Sequence, residues 1–294
     1  MEIFGVPSQA LFGQLLIGLI NGSFYALLSL GLAVIFGLLN IINFTHGAQY
    51  MMGAFVAYIL LNRLGIGYWW ALLLAPLIVG ATGVIIERTM LSRLYKLDHL
   101  YGLLLTFGLA LIIQGLFRQQ YGSAGLPYQI PDQLQGAQNL GFMFLPNYRA
   151  WVIVASLAVC LTTWYVIERT KLGAYLRAAT ENPQLVQAFG INVPRMITAT
   201  YGFGVGLAAL AGVMAAPVYQ VSPQMGADLI IVVFAVVVIG GMGSIMGAIL
   251  TGFALGVIEG LTKVFYPEAS STVIFIIMAI VLLIRPAGLF GTQK

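Results

Sequence analysis

Nine apolar segments, separated by polar or glycine-rich stretches, constrain the fold of this chain more than any other feature. A helix needs about 20 mostly apolar residues to cross the hydrocarbon core of a bilayer, and several segments approach or exceed that length. Because lipid offers no partners to backbone N–H and C=O groups, such segments are expected to be helical. They are residues 11–36, 50–61, 68–86, 101–117, 151–167, 196–218, 229–239, 245–258 and 273–284.

The overall composition indicates the same class of protein. Of 294 residues, 60% are hydrophobic and only 7% are charged, whereas soluble domains carry about 25% charged residues. We therefore predict an all-α polytopic membrane bundle of about eight or nine transmembrane helices, with residues 1–294 as one transmembrane domain. The N-terminus lacks the basic region of a cleaved signal peptide, so the first span should direct membrane insertion.

Two stretches leave the number of spans open. Residues 37–49 contain several polar groups, and residues 229–239 form a short apolar piece. Either stretch could cross the membrane, or could be a broken or re-entrant helix. The latter is tolerated only where protein or a water-filled cavity satisfies the exposed backbone.

Basic residues in the connections predict the orientation of the chain. Short loops rich in Lys and Arg remain on the cytoplasmic side. Residues 87–99 and 168–196 are the connections with the largest basic excess, and the tail after residue 284 carries two more basic residues. We expect these three to face the cytoplasm and residues 118–149 to form a long external loop.

The central polar segment, residues 168–196, contains a short helix with signals at both ends. Asn182 suits the N-cap, Pro183 suits the first helical position, and Gly190 suits the left-handed position after the last turn. The predicted helix covers about residues 183–189. Its apolar face consists of Leu185, Val186 and Phe189.

This short helix needs a surface to receive its apolar face. About two turns of helix are not stable alone in water. We expect the receiver to be another protein at the cytoplasmic membrane surface, and the alternative is packing beneath the chain's own bundle.

Small residues spaced four apart run through the C-terminal third of the chain. On one helix they would form a face without bulk, which lets another helix approach closely. The face would serve as a subunit interface or pore wall, or would pack within the chain. Its members are Gly240, Ser244, Ala248, Gly252, Gly256 and Gly260.

Motifs for catalysis are missing from the sequence. It has no phosphate-binding loop, so ATP hydrolysis is not expected of this chain. Cys160 is a single cysteine within an apolar segment, and His46 and His99 lack companions at metal-ligand spacing. We therefore expect no enzyme activity, no metal site and no cofactor in this chain. The net charge of +4 reflects loop orientation, and no nucleic-acid partner is expected.

Glu259 is the one ionisable candidate at the end of an apolar segment. Charges within a bilayer are costly and therefore tend to be functional. Glu259 is either a gate or path residue, or a carboxylate at the outer membrane surface. Since the sequence shows no convincing buried relay of ionisable groups, it argues against an ion-driven carrier.

Several spaced motifs resemble the permease subunits of branched-chain amino acid ABC importers. The resemblance is strongest to the subunit with the short N-terminus and covers nearly the whole chain. The motifs are NGSFYALLSLG at 21–31, IINFTHG at 41–47 with Gly53, GAYLRAA at 173–179 with AFGIN at 188–192, IGGMGSIMG at 239–247 and RPAGLFG at 285–291.

The resemblance implies an importer assembled from several chains in a bacterial-type inner membrane. A second, related but non-identical permease subunit would complete the path, and two ATPase subunits would bind ATP and Mg²⁺. An extracytoplasmic binding protein would deliver the solute. The loop matching residues 173–192 would be the coupling helix, seated in a groove of the ATPase, where Arg177 could make charge-assisted bonds. The coupling residues would be Gly173, Arg177, Ala178, Asn182, Pro183, Leu185, Val186, Ala188, Phe189, Gly190 and Ile191.

Polar residues at bilayer depth are candidates for the translocation path. A broken helix near residues 37–47 would present amides and carbonyls to a zwitterion. The alternative is that these groups satisfy their own backbone or cap a helix. The candidates are Asn21, Ser23, Asn40, Asn43, Thr45, His46 and Gln49, together with Glu259.

The solute itself is not named by the sequence. Branched-chain or other neutral amino acids are the main hypothesis, and a urea or short-amide importer shares the quoted motifs. An autonomous carrier or channel, or a purely structural scaffold, belongs to a different class of protein. A copurifying ATPase would distinguish an ABC importer from both.

Overall fold

The computed structural model describes residues 2–3, 6–39, 43–95 and 97–291, most of which are helical. Each of the nine apolar segments lies in a helix, and two further helices occupy the central polar segment. In chain order the helices are α1 Ser8–Leu39, α2 Thr45–Leu64, α3 Tyr68–Thr89, α4 His99–Tyr121, α5 Asn147–Arg169, α6 Lys171–Glu181, α7 Pro183–Ala188, α8 Val193–Tyr219, α9 Met225–Gly240, α10 Ile245–Phe265 and α11 Val273–Ile284.

Six helices within the described residues are long and apolar enough to cross a membrane: α1, α3, α4, α5, α8 and α10. Helices α9 and α11 are apolar but shorter, with 16 and 12 residues. The chain is therefore a multi-pass, all-α membrane protein. The segment predicted at residues 229–239 is part of the longer helix α9. In the stretch 37–49, α1 continues to Leu39 and α2 begins at Thr45, while residues 40–42 lie outside the described residues.

The few strands form two short antiparallel hairpins. One joins β1 Glu2–Ile3 to β2 Val6–Pro7, and the other joins β3 Ala137–Asn139 to β4 Phe144–Pro146. The second hairpin lies in the connection between α4 and α5. That connection is shorter than the predicted residues 118–149, because α4 extends to Tyr121 and α5 begins at Asn147. Single 3-10 turns cover Leu91–Arg93, Asp132–Leu134 and Pro267–Ala269.

The chain packs as two compact units. The first comprises Met1–Ser29, Gln129–Cys160 and Ile231–Lys294. Within it, α10 packs closely on the beginning of α1, because Gly256 lies against the backbone of Gly18. A Cβ at Gly256 would overlap that backbone, so the two helices could no longer approach to this distance.

The small residues at positions 240–260 do not share one helix face, which corrects the prediction of a single stripe. Gly240 ends α9, and Ser244 caps α10 by accepting a hydrogen bond from Gly247 N at 3.1 Å. Gly252, Gly256 and Gly260 do line one side of α10, and they lie against α1 of the same chain. The spacing of four residues continues through the turn between α9 and α10, which sequence periodicity alone did not reveal.

The second unit comprises Leu30–Tyr128 and Leu161–Ile230. Its central helix, α8, packs on both α2 and α3. At the α2–α8 crossing, a Cβ on Gly212 would overlap the carbonyl oxygen of Tyr50. The core beside this crossing is formed by buried side chains from α1, α3, the following 3-10 turn and α8: Ile35, Val79, Leu91, Tyr201, Val205 and Ala209.

Candidate functional site

The central polar segment contains an amphipathic helix, α6, that the sequence analysis treated as loop. A single residue, Thr170, separates it from the end of α5, and it buries Gly173, Leu176 and Ala179 along one side. A Cβ on Gly173 would overlap the carbonyl oxygen of Ile167. Glycine therefore permits α6 to fold back directly against the end of α5.

Local sequence signals did not mark the start of α6. Thr170 stands at the N-cap, but its side chain makes no capping bond. Its hydroxyl instead donates to Val166 O in the last turns of α5. The periodicity of small and apolar residues was the available signal, and a glycine on the buried side obscured it.

Arg177 connects α6 to the end of α5. Its Nη1 donates to Ile167 O at 2.9 Å and pairs with Glu168 Oε2 at 3.3 Å. Carbonyls in the last turn of a helix have no intrahelical donor, and a cation there is favourable to the helix dipole. The guanidinium assigned to a partner by the sequence analysis is thus engaged within the chain in this structure.

The predicted cap residues of α7 are in place. Asn182 Oδ1 accepts a hydrogen bond from Leu185 N at 2.9 Å, Pro183 occupies the first helical position, and Gly190 is left-handed with φ of 84°. The helix ends at Ala188, and Phe189 is its C-cap. Three local predictions about this short helix are therefore confirmed.

The apolar face of α7 is divided, which corrects the expectation that one receiver covers all of it. Val186 is 7% exposed and packs with Ala179 and Val193 of the same chain. Leu185 and Phe189 are 54% and 77% exposed. Among the remaining coupling candidates, Ile191 packs against the Val186 cluster, whereas Ala178 and Ala188 are exposed.

Replacing Asn182 by alanine is expected to fray α7. Loss of an N-cap side chain costs about 1 kcal/mol of helix stability, and α7 has only 6 residues. Hydrogen exchange should show faster amide exchange across residues 183–190, whereas Asn182→Ser should retain most of the protection. Equal protection in the alanine variant and the unsubstituted protein would contradict this role for the cap.

The polar residues at the beginning of α2 form a buried cluster in the second unit. Asn43 Nδ2 donates to Gln49 Oε1 at 3.4 Å, and Thr45 donates from its hydroxyl to Thr106 O at 2.9 Å. The His46 side chain is also fully buried. Asn43 Oδ1 and Gln49 Nε2 make no well-formed hydrogen bond with the described residues, and the buried hydroxyl of Tyr201 lies beside both side chains.

The other path candidates belong to the first unit, except Asn40, which lies outside the described residues. Ser23 is buried and donates to Leu19 O at 2.9 Å, and Asn21 is partly buried in the same turn of α1. Glu259 lies inside α10, because that helix continues to Phe265. Its carboxylate accepts from the Tyr25 hydroxyl at 2.6 Å and pairs with Lys263 at 2.5 Å.

Glu87 is a buried carboxylate that the sequence analysis placed in a loop. It lies in the last turns of α3 and accepts from the hydroxyls of Tyr95 and Thr198 at 2.6 and 2.7 Å. Burial, and the bond to Glu87, raise the pKa of Tyr95 well above its ordinary value, so its hydroxyl remains a donor. Glu87 thereby joins α3, the following connection and the start of α8.

Comparison with known proteins identifies the family. Residues 14–282 match the family described as "Branched-chain amino acid transport system / permease component". The chain belongs to that family. No solved structure matches this permease.

Two relatives of this permease align with it along nearly their whole lengths. It is 31% identical to the high-affinity branched-chain amino acid transport system permease protein BraD of Pseudomonas aeruginosa, covering 96% of both chains. It is 30% identical to LivH of Salmonella typhimurium, again over 96% of each chain. LivM, a second permease of the same named system in that organism, is 27% identical over 92% of this chain and 68% of its own length.

Proposed function

We propose that this permease is one membrane subunit of an ATP-driven importer for branched-chain or other neutral amino acids. Its partners would be a second, related permease, two ATPase subunits and an extracytoplasmic solute-binding protein in a bacterial-type inner membrane. ATP and Mg²⁺ would bind to the ATPase subunits. The relationship to LivH and BraD over 96% of the chain is the observation that carries this proposal.

Energy from the ATPase would enter through α6 and α7. Exposed Leu185 and Phe189 offer an apolar surface of the kind that a partner groove buries. A fully buried side chain of this size contributes about 1.5–3 kcal/mol. Displacement of α7 would reach α5 through α6 and its Arg177, and would reach α8 through the Val186–Val193 contact.

The buried polar cluster at the start of α2 is proposed as part of the solute path. Asn43, Thr45, His46 and Gln49 are all buried in the described conformation. A solute could reach them only if α2 separates from the elements that cover it. Such opening would be the structural change that the ATPase subunits drive.

The ATPase activity of the assembled complex in lipid tests this function. We expect leucine, isoleucine and valine, each with the binding protein, to stimulate hydrolysis. Phe189→Asp should reduce that stimulation at least tenfold, because a carboxylate in an apolar groove costs several kcal/mol. Phe189→Leu, which keeps an apolar side chain, is the matched control and should retain most of the stimulation.

Complex assembly must be measured beside hydrolysis. Loss of stimulation with the ATPase still bound assigns Phe189 to coupling, and loss of binding assigns it to docking. Stimulation by urea alone would replace the proposed substrate. Solute transport by the permease without any ATPase would overturn the proposed mechanism.

A further inference from the structure

A cavity of about 350 Å³ opens between the end of α3 and the beginning of α8. Its size is within the range of about 300–1,000 Å³ that is usual for small-molecule sites. None of its lining residues belongs to the polar cluster at the start of α2. Its polar lining comes from Glu87, Arg88, Ser92, Tyr95, Arg195 and Thr198.

Glu87 is the most buried of the polar residues that line this cavity, with 2% of its surface exposed. Each of its oxygens accepts one hydroxyl hydrogen bond, from Tyr95 and Thr198. An ionised carboxylate has about four acceptor positions. Glu87 therefore has capacity to accept further bonds from a cationic donor, such as an ammonium group.

Two arginines also line this cavity. Arg88 and Arg195 are exposed, and neither side chain makes a hydrogen bond or ion pair with the described residues. Guanidinium groups bind carboxylates with charge-assisted, often bidentate hydrogen bonds. The cavity thus pairs an acceptor for an ammonium with donors for a carboxylate.

We propose that this cavity binds a free α-amino acid. An anion alone would face the Glu87 carboxylate, and a cation alone would face both arginines, so a zwitterion matches the charges better than either. Pro194 and Ile197 supply an apolar wall suited to an aliphatic side chain. Binding itself does not require the proposed function, which is needed only to place the cavity on the cytoplasmic side.

A bound amino acid would connect the end of α3 to the first turn of α8. That turn also packs on α7 through Val193 and Val186. The ligand would therefore favour the arrangement of α3 and α8 to which it binds more tightly. The difference between its affinities for the alternative arrangements sets the size of that shift.

Equilibrium binding to the purified permease in lipid nanodiscs tests the site, without nucleotide or binding protein. The probes are leucine, leucinamide, 4-methylpentanoate and inorganic phosphate. We expect leucine to bind most tightly, because only leucine carries both charged groups. Arg195→Gln should weaken leucine binding about tenfold, as expected for loss of a charged hydrogen bond.

Arg93→Gln is the matched control, because Arg93 lies in the 3-10 turn after α3, next to the lining residue Ser92, but is itself outside the cavity lining. It should leave the dissociation constant for leucine unchanged. Glu87→Gln should lower the ratio of the affinity for leucine to the affinity for 4-methylpentanoate. Three results would each overturn the proposal. They are no binding of leucine, leucine binding that Arg195→Gln does not weaken, and binding of phosphate or 4-methylpentanoate as tight as or tighter than that of leucine. ATPase measurements test the importer separately, so the two hypotheses can fail independently.

Discussion

Gly173→Ala is expected to abolish solute-stimulated ATPase activity, although it adds a single methyl group. That methyl would overlap the carbonyl oxygen of Ile167, which belongs to the backbone of α5 and cannot rotate away. Overpacking of this kind costs about 1–3 kcal/mol or more. Because α6 must move away, Arg177 would lose its bond to Ile167 O and α7 would be displaced. We expect at least a tenfold loss of stimulation in the assembled complex.

A glycine with free space around it provides the control for this substitution. A Cβ at Gly115 in α4 meets no atom within 4 Å, so Gly115→Ala should leave stimulation unchanged. Hydrogen exchange should show that residues 171–190 lose protection in Gly173→Ala only. Full stimulation with unchanged protection of α6 would contradict the proposed packing against α5.

Gly212→Ala is expected to destabilise the whole second unit. The added methyl would overlap the carbonyl oxygen of Tyr50 at the α2–α8 crossing. A cost of about 3 kcal/mol corresponds to a fall in Tm of about 6–12 °C for a domain of 150–250 residues. Gly173→Ala should lower activity alone, whereas Gly212→Ala should lower both the yield of folded protein and its activity.

Thermal unfolding in detergent measures this effect directly. Gly108→Ala is the matched control, because a Cβ at Gly108 in α4 also meets no atom within 4 Å. Its Tm should stay within about 1–2 °C of the unsubstituted protein, as surface changes usually cost less than 0.5 kcal/mol. A Tm for Gly212→Ala equal to that of Gly108→Ala would show that the crossing can relax at little cost.

Sequence alone was sufficient where the determining interaction is with solvent or with near neighbours. Lipid forces long apolar segments into helices, so hydropathy located all nine apolar helices. The caps of α7 are equally local, because Asn182 bonds to a backbone group three residues away and Gly190 needs only its own φ. The spaced motifs also indicated the permease family that the comparisons show.

Contacts between distant segments were decided only by the tertiary structure. Glu87 is bonded to Thr198, 111 residues away, and nothing near Glu87 in the sequence marks that partner. The small residues at 240–260 suggested one stripe, but Gly240 ends α9 and Gly252 belongs to α10. Helix α6 depends on Gly173 meeting the end of α5, and Val186 is covered while Phe189 is not. These features arise from which surfaces meet after the helices pack, and spacing along the chain does not encode that choice locally.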